Sequence, residues 1–278
     1  MYEKLYLKPG FEYQWSPFLK VSGNLAWARR RPVFNHADYS FFYHDTRTFS
    51  PSLPQSQELP DTGFPAHEAL TLQADISYRP GAAYHMSNGR KMPVLENKPE
   101  ILFSYRKGIP HLFSSDVNYD QVQLGLNHGF ALGVRGRLEY ELRGGTFLHA
   151  KKMHFIDYQH FDGNQTIVSS LRPVGAFRLL DYYTYSTNNA YLSGHLQVGF
   201  RKLLLTHLPG VRVTGIKENI FMNYLKTSPS PHYYELGYSL DNVLRVFRIE
   251  GAAAFTDRRF KETGFRIGIA TLIHFNTD

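Results

Sequence analysis

Residues Val134 to Gly144 read VRGRLEYELRG. Successive side chains of a strand point to opposite faces. Val134, Gly136, Leu138, Tyr140, Leu142 and Gly144 therefore share one face, and Arg135, Arg137, Glu139, Glu141 and Arg143 the other. One face suits hydrocarbon and the other water. The alternation is too long and too regular for the half-buried sheet of an ordinary soluble domain.

Working outward, the same period recurs along the chain. Leu70, Leu72, Ala74, Ile76 and Tyr78 alternate with Thr71, Gln73, Asp75, Ser77 and Arg79, and Leu192, Gly194, Leu196, Val198 and Phe200 with Ser193, His195, Gln197, Gly199 and Arg201. The pattern predicts eleven strands, at 3–15, 18–30, 69–79, 99–107, 117–128, 133–147, 190–203, 211–225, 232–240, 243–255 and 264–275. Several have the roughly 10 residues that a tilted strand needs to cross a bilayer.

Composition agrees. Aromatic residues make up 15% of the 278 residues, with 21 Phe and 19 Tyr, although the mean hydropathy of −0.36 is water-like. Transmembrane barrels combine the two, because half of each strand faces a polar lumen and aromatic girdles lie at both interfaces. No run of apolar residues is long enough for a membrane-spanning helix. With no cysteine, disulfide and thiolate-metal chemistry are excluded. The net charge of +7 suits a surface rich in phosphate or carboxylate. The expected fold is all-β: one antiparallel up-and-down transmembrane β-barrel domain over residues 1–278, the C-terminal part of a larger barrel.

Connection lengths orient it, since such barrels have short periplasmic turns and longer external loops. Tight turns are expected at Ser16-Pro17, Gly129 to Leu132 and Asp241-Asn242, and long external loops at about 31–68 and 148–189. The last strand then runs towards the periplasm and ends at Phe275, while the first starts outside. Even strand numbers are usual, so this parity implies a further strand, near Tyr39 to Tyr43, or a missing start. Met1-Tyr2-Glu3-Lys4 leads straight into a strand without an export signal. The expectation is that an upstream part of the same polypeptide is missing.

Several blocks carry a family resemblance: Tyr78-Arg79-Pro80-Gly81, Tyr105 to Ile109, Ile156 to Thr166, Leu180 to Asn188 and Tyr234 to Gly237. Across about residues 70–275 the chain resembles a Bacteroidota family with an N-terminal carboxypeptidase-regulatory-like domain followed by a C-terminal outer-membrane domain of unknown function. The resemblance implies an outer-membrane location and brings no catalytic residues.

Two motifs carry chemistry. His85 and Ser87 share a strand face ahead of Asn88-Gly89. That arrangement is similar to outer-membrane phospholipases and lipid A deacylases, in which a His serves as base for a Ser nucleophile. Asn-Gly is also the ordinary signature of a tight turn, and this reading carries more weight. His154, Asp157, His160 and Asp162 could ligate a divalent cation. Their spacing fits no specific ligand motif, and a self-bonded polar loop is the heavier alternative. Tyr182, Tyr183 and Tyr185 in the same loop either fold over the lumen or anchor at the interface.

The remaining candidates are electrostatic. Arg29, Arg30, Arg31, Lys151 and Lys152 fall near external strand ends, where they would meet the phosphates of lipopolysaccharide. Arg135, Arg137, Glu139, Glu141, Arg143, His195 and Arg201 are expected as a lumenal polar network, structural rather than a solute path. No basic helix or Gly-rich phosphate loop points to nucleic acid, and no cofactor is implied. The leading expectation is a non-enzymatic structural, transport or surface-binding barrel whose partners are outer-membrane lipid and lipopolysaccharide. Two alternatives follow: an assembly or secretion barrel, and an acyl hydrolase using His85 and Ser87.

Overall fold

The structure, a computed structural model, describes residues 2–33, 63, 65–81, 83–87, 89–94, 98–163, 168–169, 174–212 and 214–269. The chain opens with β1 (Tyr2–Leu7), β2 (Gly10–Ser16), β3 (Leu19–Pro32) and β4 (His67–Tyr78). A small hairpin, β5 (Ala83–Ser87) and β6 (Arg90–Val94), precedes β7 (Glu100–Ile109), β8 (Asn118–Ala131) and β9 (Gly136–Lys152). After the two-residue β10 (Val168–Ser169) come β11 (Tyr191–Phe200), β12 (Lys217–Thr227), β13 (Tyr233–Val243), β14 (Phe247–Thr256) and β15 (Arg259–Ile269). Helix among the described residues is limited to single turns such as Pro209–Arg212 and Phe155–Asp157.

All strands but β5 and β6 join one sheet, in the order β1-β3-β4-β7-β8-β9-β11-β12-β13-β14-β15-β10, with β2 also on β3. Every pairing from β3 to β15 is antiparallel, and β10 alone pairs in parallel, with β15. Strands β1 and β2 line up on one edge of β3, from Tyr2↔Pro32 to Leu7↔Trp27 and then from Gly10↔Asn24 to Ser16↔Leu19. They are the expected first strand, interrupted where Pro9 has no N–H to give to the ladder. Its carbonyl still accepts from Leu25 N at 3.0 Å. Apart from the two-residue β10 on the outer edge of β15, the β1/β2 line and β15 bound a path of eleven strand positions, and both run from the 153–190 side of the sheet to the opposite side.

Several boundaries differ from the sequence reading. Val134 and Arg135 lie in the turn before β9, closed by Leu132 N to Gly136 O at 2.9 Å, because Gly133 adopts φ +59. The strand then continues to Lys152, five residues into the expected loop. Residues 211 and 212, expected to open a strand, close the helical turn Pro209–Arg212, so β12 begins only at Lys217. Asp241 and Asn242 remain in β13, and the turn is at Leu244 and Arg245, both at positive φ. Residues 259–263, expected as connection, are strand, because Asp257 and Arg258 both take positive φ in a two-residue hairpin turn. The candidate strand at Tyr39 to Tyr43 and the terminal Phe275 lie outside the described residues.

Burial is inverted relative to a soluble sheet. On β11, Ser193, His195 and Gln197 are buried while Leu192 and Leu196 are exposed; on β12, Asn219 and Asn223 are buried while Ile220 and Met222 are exposed. Glu235 and Ser239 on β13, Arg248 and Glu250 on β14 and Arg266 on β15 are buried as well, whereas Leu236, Phe265, Ile267 and Ile269 face outward. No second sheet covers the apolar face among the described residues, since the other sheet is the β5–β6 hairpin. The polar face is covered by the chain's own connection between β9 and β11, in its described stretches 153–163 and 174–190. Phe177, Leu180 and Tyr185 pack there with Leu225, Tyr233 and Ala254.

Candidate functional site: a plugged polar face

The connection 153–190 is held at both ends of the sheet. At one end, Asp157 accepts from Arg30 of β3 at 2.9 Å and from the Tyr119 hydroxyl of β8 at 3.3 Å. Its carbonyl also accepts from Arg106 of β7. Gln159 and Thr187 exchange backbone bonds of 2.9 and 3.1 Å, tying the two limbs of the connection together. Gln121 donates to Gln159 Oε1 at 3.1 Å.

At the other end Glu235 is the hub. Its carboxylate accepts from Arg178 N at 2.8 and 3.0 Å and from Leu179 N at 2.7 Å. Asn223 Nδ2 at 2.7 Å and the Tyr233 hydroxyl at 2.8 Å complete the set. Two backbone N–H groups of the plug thus point into a carboxylate that a strand of the wall presents. Beside it Glu250 receives Arg248 Nε at 3.1 Å, Arg178 Nε at 3.4 Å and Arg266 Nε at 3.7 Å. Arg248 reaches further, to Gln197, Ser239 and Asp241 at 3.1 to 3.4 Å. Three guanidiniums, of Arg178, Arg248 and Arg266, meet three carboxylates, of Glu235, Glu250 and Asp241. Buried charges at this density persist only when paired and hydrogen-bonded.

Arg178 lies 4.6 Å from the centroid of the Phe221 ring. That ring has room because position 237 is glycine, whose added Cβ would meet Phe221 Cζ at 2.1 Å. His195 bonds Asn223 Oδ1 at 2.9 Å, and its ring is 4.7 Å from that of Phe177. In the plug, His160 bonds Ser186 Oγ at 2.7 Å, and burial, reinforced by the Arg106 charge, pushes its pKa down to about 4. Burial also lowers the pKa of His154, and the Lys152 ammonium holds Asp116 below the usual carboxylate range.

The structure distributes the predicted residues unevenly. His195 is part of the buried cluster. Arg137 pairs with Glu139 at 2.7 Å and Arg143 with Glu141 at 2.8 Å, partly exposed along β9. Glu141 also touches the plug, within 3.1 Å of the Cβ position at Gly175. Arg135 and Arg201 sit in exposed turns, joined by Arg201 N to Arg135 O at 3.0 Å, because their strands begin and end short of them. Arg201 still lines a pocket of about 420 Å³ at this end of the polar face, with Arg137, Glu139, Gln197 and Asp241.

Among the basic candidates, Arg29 and Arg31 are exposed, Arg29 bridging Glu68 at 2.8 Å. Lys151 is exposed, and Lys152 pairs with Asp116. Arg30 is the correction: it is buried and faces Asp157, because neighbours in a strand point to opposite sides.

His85 and Ser87 lie on the β5–β6 hairpin, with His85↔Met92 and Ser87↔Arg90 in register and Gly89 at φ +74. No hydrogen bond joins the two among the described residues. The metal alternative is not assembled either. Asp157 is taken by Arg30 and His160 by Ser186, and His154 stacks on His67 with centroids 3.8 Å apart. No group of three or more metal-type side chains converges among the described residues. Tyr185 is buried over the polar face, while Tyr182 and Tyr183 are exposed.

Sequence reasoning missed Arg178, Glu235, Arg248, Glu250 and Arg266. For the four wall residues the signal was present, since each falls on the polar face of a strand read from its apolar partners. Arg178 has no periodic signal.

Fold and site together define a class: a large antiparallel β-sheet protein with an outward apolar face and a polar face plugged by its own loop. The chain belongs to a family of unknown function, matching over residues 1–240 the description "Family of unknown function (DUF5686) C-terminal domain". That match takes in the N-terminal strands, which the resemblance over about 70–275 had left out. No curated protein matches the chain.

Proposed function

We propose that this chain forms the wall and plug of an integral outer-membrane β-barrel in a Gram-negative envelope, a non-enzymatic component with a closed rather than open lumen. The observation that carries this reading is the inverted burial: Leu192, Leu196, Ile220, Met222, Leu236 and Ile267 are exposed while Asn223, Glu235, Arg248 and Glu250 are buried. Lipid chains satisfy the first set and the plugged lumen the second. The finer parts of the resemblance, a Bacteroidota source and an upstream carboxypeptidase-regulatory-like domain, belong to the same proposal. So does contact of Arg29, Arg31 and Lys151 with lipopolysaccharide phosphates.

The reading carries a requirement. Hydrocarbon offers no partner for unpaired backbone groups, so the edges left unpaired among the described residues, along β1/β2 and along β15 outside its two-residue pairing with β10, must be completed. Because β1/β2 and β15 run in the same direction, fully antiparallel completion takes an odd number of further strands. This open seam also favours a second reading, an assembly or secretion barrel that works through a lateral opening.

The test is refolding of the chain into detergent micelles and lipid vesicles. Resistance of the strands to protease in vesicles, with little ion conductance, is expected. Recovery of a detergent-free monomer in aqueous buffer would overturn the proposal. Insertion of a client barrel into vesicles, accelerated by the folded protein, would select the assembly reading.

A further inference from the structure

Glu218 is out of place. It shares the outward face of β12 with Ile220 and Met222, both more than two-fifths exposed, yet Glu218 is fully buried. What buries it is the connection between β11 and β12. Its carboxylate accepts from Leu203 N at 3.0 Å, Leu204 N at 3.0 and 3.1 Å, Leu205 N at 2.9 Å and Thr206 N at 3.1 Å. The hydroxyls of Thr206 and of Tyr238, on the neighbouring strand, also donate to it. With four N–H groups and two hydroxyls, the carboxylate is satisfied from within. It buckles a turn to the outer face.

The turn that it holds is presented outward. Leu204 is 68% exposed, Leu205 40% and Leu208 53%. Removing apolar surface from water is favourable, so a fixed turn displaying three leucines beside an apolar strand face has an apolar surrounding to enter. Lys202, exposed, comes immediately before these leucines. Leucines continuous with an outward apolar face and preceded by a cation make the pattern of a segment lying in a membrane interface. A protein partner of ordinary surface would have to cover the adjoining strand face too.

We infer that the 201–212 turn, buckled by Glu218, is an interfacial anchor for an anionic phospholipid leaflet, with Leu204, Leu205 and Leu208 among the acyl chains and Lys202 on the phosphates. This rests on the membrane reading above, whose phospholipid leaflet is on the turn side of the sheet.

The test uses the full chain with Trp15 and Trp27 replaced by Phe, carrying either Leu204→Trp or, as mid-face control, Leu236→Trp. Each protein is refolded into phosphatidylcholine vesicles with and without phosphatidylglycerol. Quenching by lipids brominated near the headgroup is compared with quenching by lipids brominated at the chain ends. The inference expects Leu204→Trp to be quenched by the shallow label, more strongly with phosphatidylglycerol, and Leu236→Trp by the deep one. Glu218→Ala should abolish most quenching at position 204, and Lys202→Glu should remove the phosphatidylglycerol dependence.

Quenching at 236 but not at 204 would overturn the anchor and leave the membrane reading standing. Absence of quenching at both would overturn the membrane reading and the anchor with it. Quenching at 204 that ignores both phosphatidylglycerol and charge reversal would overturn the phosphate contact. Leu205→Trp replaces Leu204→Trp if the latter fails to fold, and is read in the same way.

Discussion

Strand β9 and the group β13–β15 carry charge differently. In β9, Arg137, Glu139, Glu141 and Arg143 crowd one face of one strand, and they pair with next-but-one neighbours along it. In β13–β15 the charges are sparser, yet Glu235, Glu250, Arg248 and Arg266 converge from three adjacent strands on Arg178 of the plug. The Arg137–Glu139 pair is 52% and 37% exposed, the Arg178–Glu250 pair 3% and 1%. Density along the chain and fixation in space are therefore separate properties. A strand can supply charges, but only side chains from several strands can close around a loop.

The sharpest way to break this comparison is Glu235→Ala. It strips the acceptor from two plug N–H groups, from Asn223 and from the Tyr233 hydroxyl. Removing one member of a buried charged cluster costs about 3–5 kcal/mol. Unfolding in detergent should show a loss of that order, and protease should cleave within 174–190 before it attacks the wall. A loss no greater than that of an exposed β9 carboxylate would mean that the plug is not held there.

Leu196→Arg tests the other face of the same wall. Leu196 is flanked on β11 by His195 and Gln197, which point inward, while it points out. An arginine facing lipid near the membrane centre costs about 2–4 kcal/mol. The vesicle-inserted protein should lose stability by that amount, measured by unfolding in denaturant. A neutral result would mean that water or protein, not lipid, borders this face.

These two variants also mark what the sequence made legible. Period-2 alternation located the eleven strand positions and assigned their faces, because a residue's face depends only on its parity within the strand. It could not state where a strand stops. Val134, Arg135 and Arg201 fit the alternation but lie in turns, since Gly133 and the 201–216 connection redirect the backbone. Nor could it predict convergence. Arg30 reads as one of three exposed basic residues until Asp157, 127 positions later, is folded against it. Glu218 interrupts the outward face of β12 as a charge that alternation does not explain, and only its buckled turn accounts for it.

The plug itself is expected to respond to pH. Burial holds His160 at about 4, with Phe155, Tyr183, Ser186, Arg106 and Asp157 around it. An imidazole in the unfolded chain titrates near 6.5. Between those values the unfolded chain binds a proton that the folded plug refuses, so stability is complete above pH ~6.5 and falls as pH drops towards ~4. The total is on the order of 3 kcal/mol. His160→Gln should flatten the part of the pH dependence of plug proteolysis that lies in this window. An unchanged slope would place the proton elsewhere.

The smallest effect closes the comparison from the β9 side. Glu139→Gln leaves Arg137 in a partly exposed position beside the pocket that Arg201 also lines, where water replaces the lost carboxylate. Exposed ion pairs contribute about 0–1 kcal/mol, so detergent unfolding should shift by no more than that, and protease protection of 174–190 should be unchanged. The value of this variant lies in its pairing with Glu235→Ala. If the two carboxylates cost the same, charge on the polar face acts through its total and not its convergence, and the plug would be held by apolar packing of Phe177, Leu180 and Tyr185 alone.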